Sequence, residues 1–264
     1  MGKRALIIVS FGTTSQQARQ AIERIETELG LRMAGYDCFR AFTSSKVLAR
    51  VRQEQGLEIL TPAEQMQVLW ERGYTEVICQ PLHILNGWEY EKMCRQIAPF
   101  AEKFETFRLG KPMLTDFSDY EDCCAMIARH TALPQPGEAL VLMGHGSDHF
   151  SNAAYSQLGN VMEYQGMKSV FVGTVEGFPH LDFICKRLEQ EQVKTVTLMP
   201  FLIVAGEHVQ KDMAGEQEGS WKRTLEALGY SVHVCRKGLG EFPETADLFF
   251  RHLQQAQPFP YCQN

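Results

Sequence analysis

Short apolar runs alternate along this chain with stretches whose apolar residues recur every three or four positions. "RALIIVSFG" is a β-branched and aliphatic run closed by Gly12, the pattern of a strand buried on both faces. From Gln16 to Leu29 the apolar groups fall at Ala18, Ile22, Ile25 and Leu29, which is helical spacing, and Gly30 stands where a C-terminal cap belongs. "TPAEQMQVLWERG" predicts a further helix, with Thr61 as N-cap, Pro62 in the first helical position, Glu64 completing a capping box and Gly73 as the stop. "EVICQPLHIL" then reads as a buried strand and "EYEKMCRQIAPFAEKF" as a helix.

The second half follows the same logic. "EALVLMGHG" predicts a strand, "NAAYSQLGNVMEY" a helix, "KSVFVGTVEG" a strand and "HLDFICKRLEQE" a helix. The uncharged run from Leu198 to Gly206 extends a last strand that begins near Lys194 and ends at Glu207 and His208. Strands alternating with helices imply a parallel sheet covered by helices on both faces, and right-handed crossovers narrow this to a doubly wound α/β sheet. The two halves also resemble each other. "ALIIVSFGT" (5–13) matches "ALVLMGHGS" (139–147), and "PLHILNGWEYEK" (81–92) matches "PFLIVAGEHVQK" (200–211) without a gap, in the same order. In that register Phe11 corresponds to His145 and Glu89 to His208, so histidines stand in the second half where the first has none.

Composition narrows the setting. The 264 residues suffice for one large domain or two, and a 44% hydrophobic, 22% charged makeup is ordinary for a globular protein. A net charge of −6 argues against a general nucleic-acid binder. The eight cysteines (Cys38, Cys79, Cys94, Cys123, Cys124, Cys185, Cys235 and Cys262) form no C-x-x-C pair and read as free thiols of a reducing compartment. The apolar run before Ser10 is shorter than a signal-peptide core and no segment has membrane-spanning length, so a cytoplasmic protein with no membrane partner is expected. GxxxxGK[ST], GxGxxG after a strand, and GxSxG are all missing.

In an open parallel sheet ligands bind beyond the C-terminal ends of the strands. Three successive strands end in "MGHG", "GTVEG" and "VAGEH", each offering a glycine and one metal-competent side chain: His145, Glu176 and His208. Spacings of about thirty residues, one βαβ unit, set these ends side by side. Two imidazoles and a carboxylate suit a divalent ion such as Co, Ni, Fe or Zn. The glycines flanking His145 leave room for a bulky ligand to approach. His83, inside "PLHIL", is either a core or a crevice histidine, and Glu89 faces the same edge in the first half by the repeat. Arg40, Lys46, Arg50 and Arg52 surround the hydroxyls of Thr43, Ser44 and Ser45 and can hold carboxylates, although such residues are commonly just solvated. His149, His180, His233 and His252 show no comparable placement.

"LIIVSFGT", "FRAFTS", "LHILNGWEYEK", "MGHG", "TVEGFP", "PFLIVAGEHVQKDM" and "GSWK", in this order, resemble the ATP-independent class II tetrapyrrole chelatases, and among them the anaerobic sirohydrochlorin cobaltochelatases of the CbiK type. The resemblance implies two similar lobes, each a parallel sheet flanked by helices, here 1–135 and 136–264, with a tetrapyrrole cleft between them. It implies that His145, Glu176 and His208 hold the metal and that His145, Glu89 and His208 are catalytic, His145 as proton acceptor. Ser10, Phe11, Arg40, Thr43, Ser44, Lys46 and His83 fall on the substrate side, Arg40 and Lys46 as clamps for the eight substrate carboxylates. One departure is Glu207, where the family pattern has Asp. Co(II) enters as substrate, with no ATP, nucleotide or organic cofactor expected, and a homo-oligomer is compatible. Alternatives are a sirohydrochlorin ferrochelatase for siroheme, a non-catalytic metal or tetrapyrrole carrier, and a metal-dependent hydrolase, which would want more carboxylates at the strand ends.

Overall fold

The chain builds two sheets, and the alternation of strand and helix decides both. The computed structural model describes residues 2–259; Cys262 lies outside them, and the other seven cysteines are free. In chain order the elements are β1 (Lys3–Ser10), α1 (Gln16–Arg32), β2 (Asp37–Phe42), α2 (Ser45–Gln55), α3 (Pro62–Glu71), β3 (Tyr74–Pro81), α4 (Trp88–Ile97), β4 (Thr106–Leu109), α5 (Phe117–His130), β5 (Glu138–Gly146), α6 (Ala153–Tyr164), β6 (Val170–Glu176), α7 (Leu181–Gln190), β7 (Thr195–Pro200), α8 (Trp221–Ala227), β8 (Ser231–Val234), α9 (Pro243–Gln254) and β9 (Gln257–Pro258). None of the described helices is long and apolar enough to cross a membrane.

The first sheet has the order β2-β1-β3-β4-β9, parallel except for the antiparallel β9 at its edge. The second has the order β6-β5-β7-β8, parallel throughout. The leading four strands of each thus follow one scheme, with the first strand central and the fourth beyond the third. The register agrees as well. Val9 pairs with Pro81 and Met143 with Pro200, and the residue after each proline donates back to the central strand (Leu82 N to Val9 O, 2.7 Å; Phe201 N to Met143 O, 2.8 Å). The repeat seen between 81–92 and 200–211 therefore occupies equivalent places.

Both cores form as the strand pattern requires. In the first unit Ala5, Ile7, Val9, Val77 and Cys79 face Met66 and Leu69 of α3 and Met93 and Ile97 of α4. In the second, Val141, Met143, Val196 and Leu198 face Ile184 and Leu188 of α7 and Leu225 of α8. Each such fully buried aliphatic side chain contributes about 1.5–3 kcal/mol of hydrophobic stabilisation.

Several local expectations change. The units are not 1–135 and 136–264. One comprises the residues up to Thr115 together with those from Pro243 onward, and the other runs from Asp116 to Phe242. Helix α5 packs on α6 of the second unit, whereas α9 returns to α1, where Arg32 also pairs with Asp247 at 2.6 Å. Periodicity reveals that a helix has an apolar face but not which sheet it covers. Gly30 is no cap either: α1 continues to Arg32, and a Cβ at Gly30 would stand 3.1 Å from Cys38 Sγ, so this glycine lets β2 lie close. The helix expected through Phe104 breaks after Ile97 into a 3-10 turn (Ala98–Lys103), because Pro99 has no N–H to continue the ladder. By contrast α3 has the full capping box of Thr61 and Glu64, and Gly73 follows it at φ +73°.

His83, just past β3, is buried, and neither ring nitrogen has a hydrogen-bond partner among the described residues. Burial, reinforced by the Lys92 ammonium, pushes its pKa down to about 4. The unfolded chain therefore binds the extra proton first as pH falls. Stability should decline from about pH 6.5 toward pH 4, by up to about 3 kcal/mol. Urea unfolding across this range should show that loss, and His83→Leu should flatten it; a variant with the same pH slope as the parent would refute the assignment.

Candidate metal centre

The second sheet sets β6 and β7 on either side of β5, so the ends of all three lie along one edge. His145 is the penultimate residue of β5 and Glu176 the last of β6, directly beside Gly146 in the ladder. His208 arrives differently. β7 stops at Pro200, and the apolar run that follows is a loop rather than a longer strand. Its carbonyls are taken by the segment ahead of α9: Leu239 N donates to Leu202 O at 2.7 Å and Gly240 N to Ile203 O at 2.9 Å. His208 leads from this loop into a single π turn, Val209–Met213, a form of helix that recurs at functional sites. Apolar character marked these residues for enclosure, but the bonds come from a loop partner instead of a sheet.

The glycines around His145 also have a reason other than ligand access. A Cβ on Gly144 would overlap the Tyr155 ring, and a Cβ on Gly146, which sits at φ +81°, would overlap the Glu176 carbonyl oxygen. It is the protein's own groups that approach closely. Tyr155, on α6, is fully enclosed beneath the turn; burial pushes its phenol up to about 12, opposed by hydrogen bonds with the backbone of Gly146 and His145.

The two imidazoles lie edge to face, with ring centroids 4.5 Å apart. Each has its Nδ1 engaged. His145 Nδ1 is 2.9 Å from the Gly146 carbonyl, an acceptor only, so this nitrogen carries the proton. His208 Nδ1 is 2.6 Å from Asp212 Oδ2. Both rings are thereby oriented with the Nε2 lone pair left over for a metal, the usual arrangement of a histidine ligand backed by a carbonyl or carboxylate. Glu176 Oε2 is 3.9 Å from His145 Nδ1, too long for a hydrogen bond. The three do not all bring ligand atoms within 4.8 Å of one another. With side-chain exposures of 43% for each histidine and 63% for Glu176, this is an open, adjustable set rather than a closed structural cage. Glu207 is exposed and ion-paired to Lys211, a solvated supporting role.

The first unit carries the remaining expected residues. Ser10 ends β1, Thr43 follows β2 and His83 follows β3, all three buried, with Ser10 Oγ, Thr43 Oγ1 and both His83 nitrogens unpartnered among the described residues. Glu89 lies in the first turn of α4 with one carboxylate oxygen equally unpartnered. Phe11 is half exposed and Lys46 exposed. Ser44 serves as the N-cap of α2, accepting from Val47 N at 3.3 Å. Arg40 cannot act as a free clamp: its Nε donates to both Glu26 oxygens (2.8 and 3.0 Å), and Glu23 pairs with the same guanidinium. It sits on β2 facing α1, and burial raises the Glu26 carboxyl pKa even beside this arginine. Arg50 and Arg52 pair with Glu54 and Glu58.

Sequence reasoning passed over Asp212 and Lys92. Asp212 stands four residues after His208, one helical turn, which was legible had the segment been read as helical. Lys92 donates to Thr43 O at 2.7 Å and lies 3.6 Å from Glu89 Oε1; the i, i+3 spacing in "EYEK" was its signal.

Comparison with known proteins identifies the family. A family model described as cobalt chelatase (CbiK) matches residues 4–257. The chain is 37% identical over 255 residues to the sirohydrochlorin cobaltochelatase of Salmonella typhimurium, covering 96% of each. It is 31% identical over 262 residues to the sirohydrochlorin cobaltochelatase CbiKC of Nitratidesulfovibrio vulgaris, covering 97% of this chain and 91% of that one. Among solved structures, SirB from Bacillus subtilis with Fe3+ superposes with a TM-score of 0.68 at 17% identity, covering 96% and 95% of the two chains. CbiX, titled the terminal enzyme for biosynthesis of siroheme in denitrifying bacteria, gives 0.58 at 18% identity, covering 96% and 100%. At these identities the structural likeness speaks for the fold, which is that of the chelatases. With the match running almost from end to end and paired imidazoles at the edge of the second sheet, the chain belongs to the CbiK cobalt chelatase family.

Proposed function

We propose that the protein is a sirohydrochlorin cobaltochelatase, an enzyme that inserts Co(II) into sirohydrochlorin without ATP. The observation that carries this reading is the pair of imidazoles, His145 and His208, each with Nδ1 engaged and Nε2 left over, in a chain matched by the family over residues 4–257. Co(II) is a substrate here, and an exposed, incomplete ligand set suits an ion that must be taken up and given away.

Insertion exchanges one Co(II) for two pyrrole N–H protons. His145 and His208 accept the ion through Nε2, and the Glu176 carboxylate swings in as the third ligand. His145 holds its Nδ1 proton against the Gly146 carbonyl, so a single nitrogen serves as both ligand and base. Its two roles follow one another: once the ion passes to the macrocycle, the freed Nε2 lone pair takes a pyrrole proton, and neutral imidazole suits this near pH 7. Glu89 is the second acceptor. The buried, unpartnered groups of Ser10, Thr43 and His83 support a substrate side in the first unit, because native proteins seldom leave such atoms without a partner. Lys92, bonded to Thr43 O and facing Glu89, positions that side, and Lys46 is retained as its exposed cation.

Purified protein incubated with sirohydrochlorin and Co(II), without ATP, should speed the absorbance change of metal insertion over the spontaneous rate. His145→Ala should lose about 100-fold or more of that acceleration; activity near the parent's would sink the assignment. Running Fe(II) and Ni(II) in parallel under anaerobic conditions identifies the preferred metal, and Co(II) should be inserted fastest.

Asp212→Asn should weaken Co(II) binding about 10- to 100-fold while leaving the thermal midpoint nearly unchanged, since it removes only the carboxylate behind His208. Titration of the metal-free protein with Co(II) measures this, and unaltered affinity would show that Asp212 does not tune the imidazole.

A further inference from the structure

Beyond β5 and β6 the chain makes two turns that touch through their backbones, Gly146–Ser147 and Gly177–Phe178. Gly177 sits at φ +85°, and a Cβ there would stand 2.5 Å from Ser147 O and 3.0 Å from Asn152 Nδ2. Asn152, which leads into α6, is buried, and its carboxamide spans the two turns. Oδ1 accepts from Ser147 N at 3.0 Å, while Nδ2 donates to Phe178 O at 2.6 Å. One orientation of the amide satisfies both bonds; the flipped one would set donor against donor and acceptor against acceptor. An aspartate could make the first bond, yet its second oxygen would face the Phe178 carbonyl unprotonated.

Ser147 lies two residues after His145, and Phe178 two residues after Glu176. The Glu176 carboxylate has no hydrogen bond of its own among the described residues, and its close side-chain neighbour is the His145 ring, with Nδ1 at 3.9 Å. Where this carboxylate can reach is therefore set by its backbone, and the backbone is held by the amide bridge. Thr174 braces the same turn from within the sheet, its Oγ1 donating to Gly177 O at 2.9 Å.

We infer that Asn152 is a positioning residue of the metal centre, the strut that fixes the gap between His145 and Glu176. This rests on the reading of those two residues as ligands of the transferred Co(II). Asn152 itself offers the ion nothing, as both ends of its amide are engaged by backbone.

The test is a Co(II) titration of the metal-free full-length protein for Asn152→Asp, with Asn152→Ser as a smaller second variant should the first fail to fold. Ser220→Ala serves as the stability control; it removes another buried hydrogen bond of the same unit, Ser220 Oγ to Gly215 O at 2.6 Å. Asn152→Asp should weaken Co(II) binding about 10-fold or more and raise the KM for Co(II), with the KM for sirohydrochlorin unchanged. Ser220→Ala should lower the thermal midpoint but bind Co(II) within twofold of the parent. Parental affinity in both Asn152 variants, or equal weakening by Ser220→Ala, would overturn the inference. His145→Ala is titrated alongside. If it alone among these variants loses Co(II), the metal centre stands and the strut falls; if it keeps Co(II), the metal centre falls and the strut with it.

Discussion

The proposed metal centre depends on backbone contact at the edge of the second sheet. The chain turns at Gly146 hard against the carbonyl of Glu176, leaving no space for a side chain, and the adjoining turn at Gly177 abuts Ser147. Only glycine supplies both the positive φ and the missing Cβ. That contact couples the backbone at His145 to the backbone at Glu176, so main chain sets the points from which the two proposed ligands extend, while their exposed side chains keep their own torsions. His208 joins them from a loop whose carbonyls are bonded to a neighbouring segment, which gives irregular backbone a defined course without a sheet ladder.

The two units share a strand order and a register, yet they present different chemistry at equivalent places. Where the first has Phe11 and Glu89, the second has His145 and His208. The first edge holds buried polar atoms without partners among the described residues and a lysine bonded to backbone; the second exposes imidazoles whose inner nitrogens are already engaged. A repeated scaffold can thus separate groups suited to a polar macrocycle from groups suited to a borderline metal ion. The exposure of the proposed ligands fits transfer, since a closed four-ligand cage would retain its ion.

Charge placement explains why Arg40 is no free clamp. Arg40 looked available because it stands close in sequence to the hydroxyls of Thr43, Ser44 and Ser45. Its position on β2 turns it to α1, however, where Glu26 and Glu23 meet it. A partly buried guanidinium keeps such partners, because leaving them would strand a carboxylate at low dielectric. Ser44 accepts the capping bond of α2 and keeps its hydroxyl hydrogen to donate.

Much of this was legible in the residues alone. Apolar runs such as "ALIIVS" and "ALVLM", alternating with helical patterns, read as buried strands of a parallel sheet, and the repeat of 81–92 in 200–211 predicted equivalent positions that the ladders bear out at its start, Pro81 and Pro200. The spacing of one βαβ unit placed His145 and Glu176 at neighbouring strand ends, whereas His208, expected at a third strand end, stands beyond the loop that follows β7 at Pro200. What tertiary structure decided was everything that depends on a partner distant along the chain. It set where β7 stops and which loop holds the residues after it. It assigned α5 and α9 to their sheets, turned Arg40 to Glu26, and placed Asn152 and Asp212 behind the ligands. Local patterns report whether a side chain prefers burial and with what period; they carry no information about which group will meet it, because that is settled only when the layers pack.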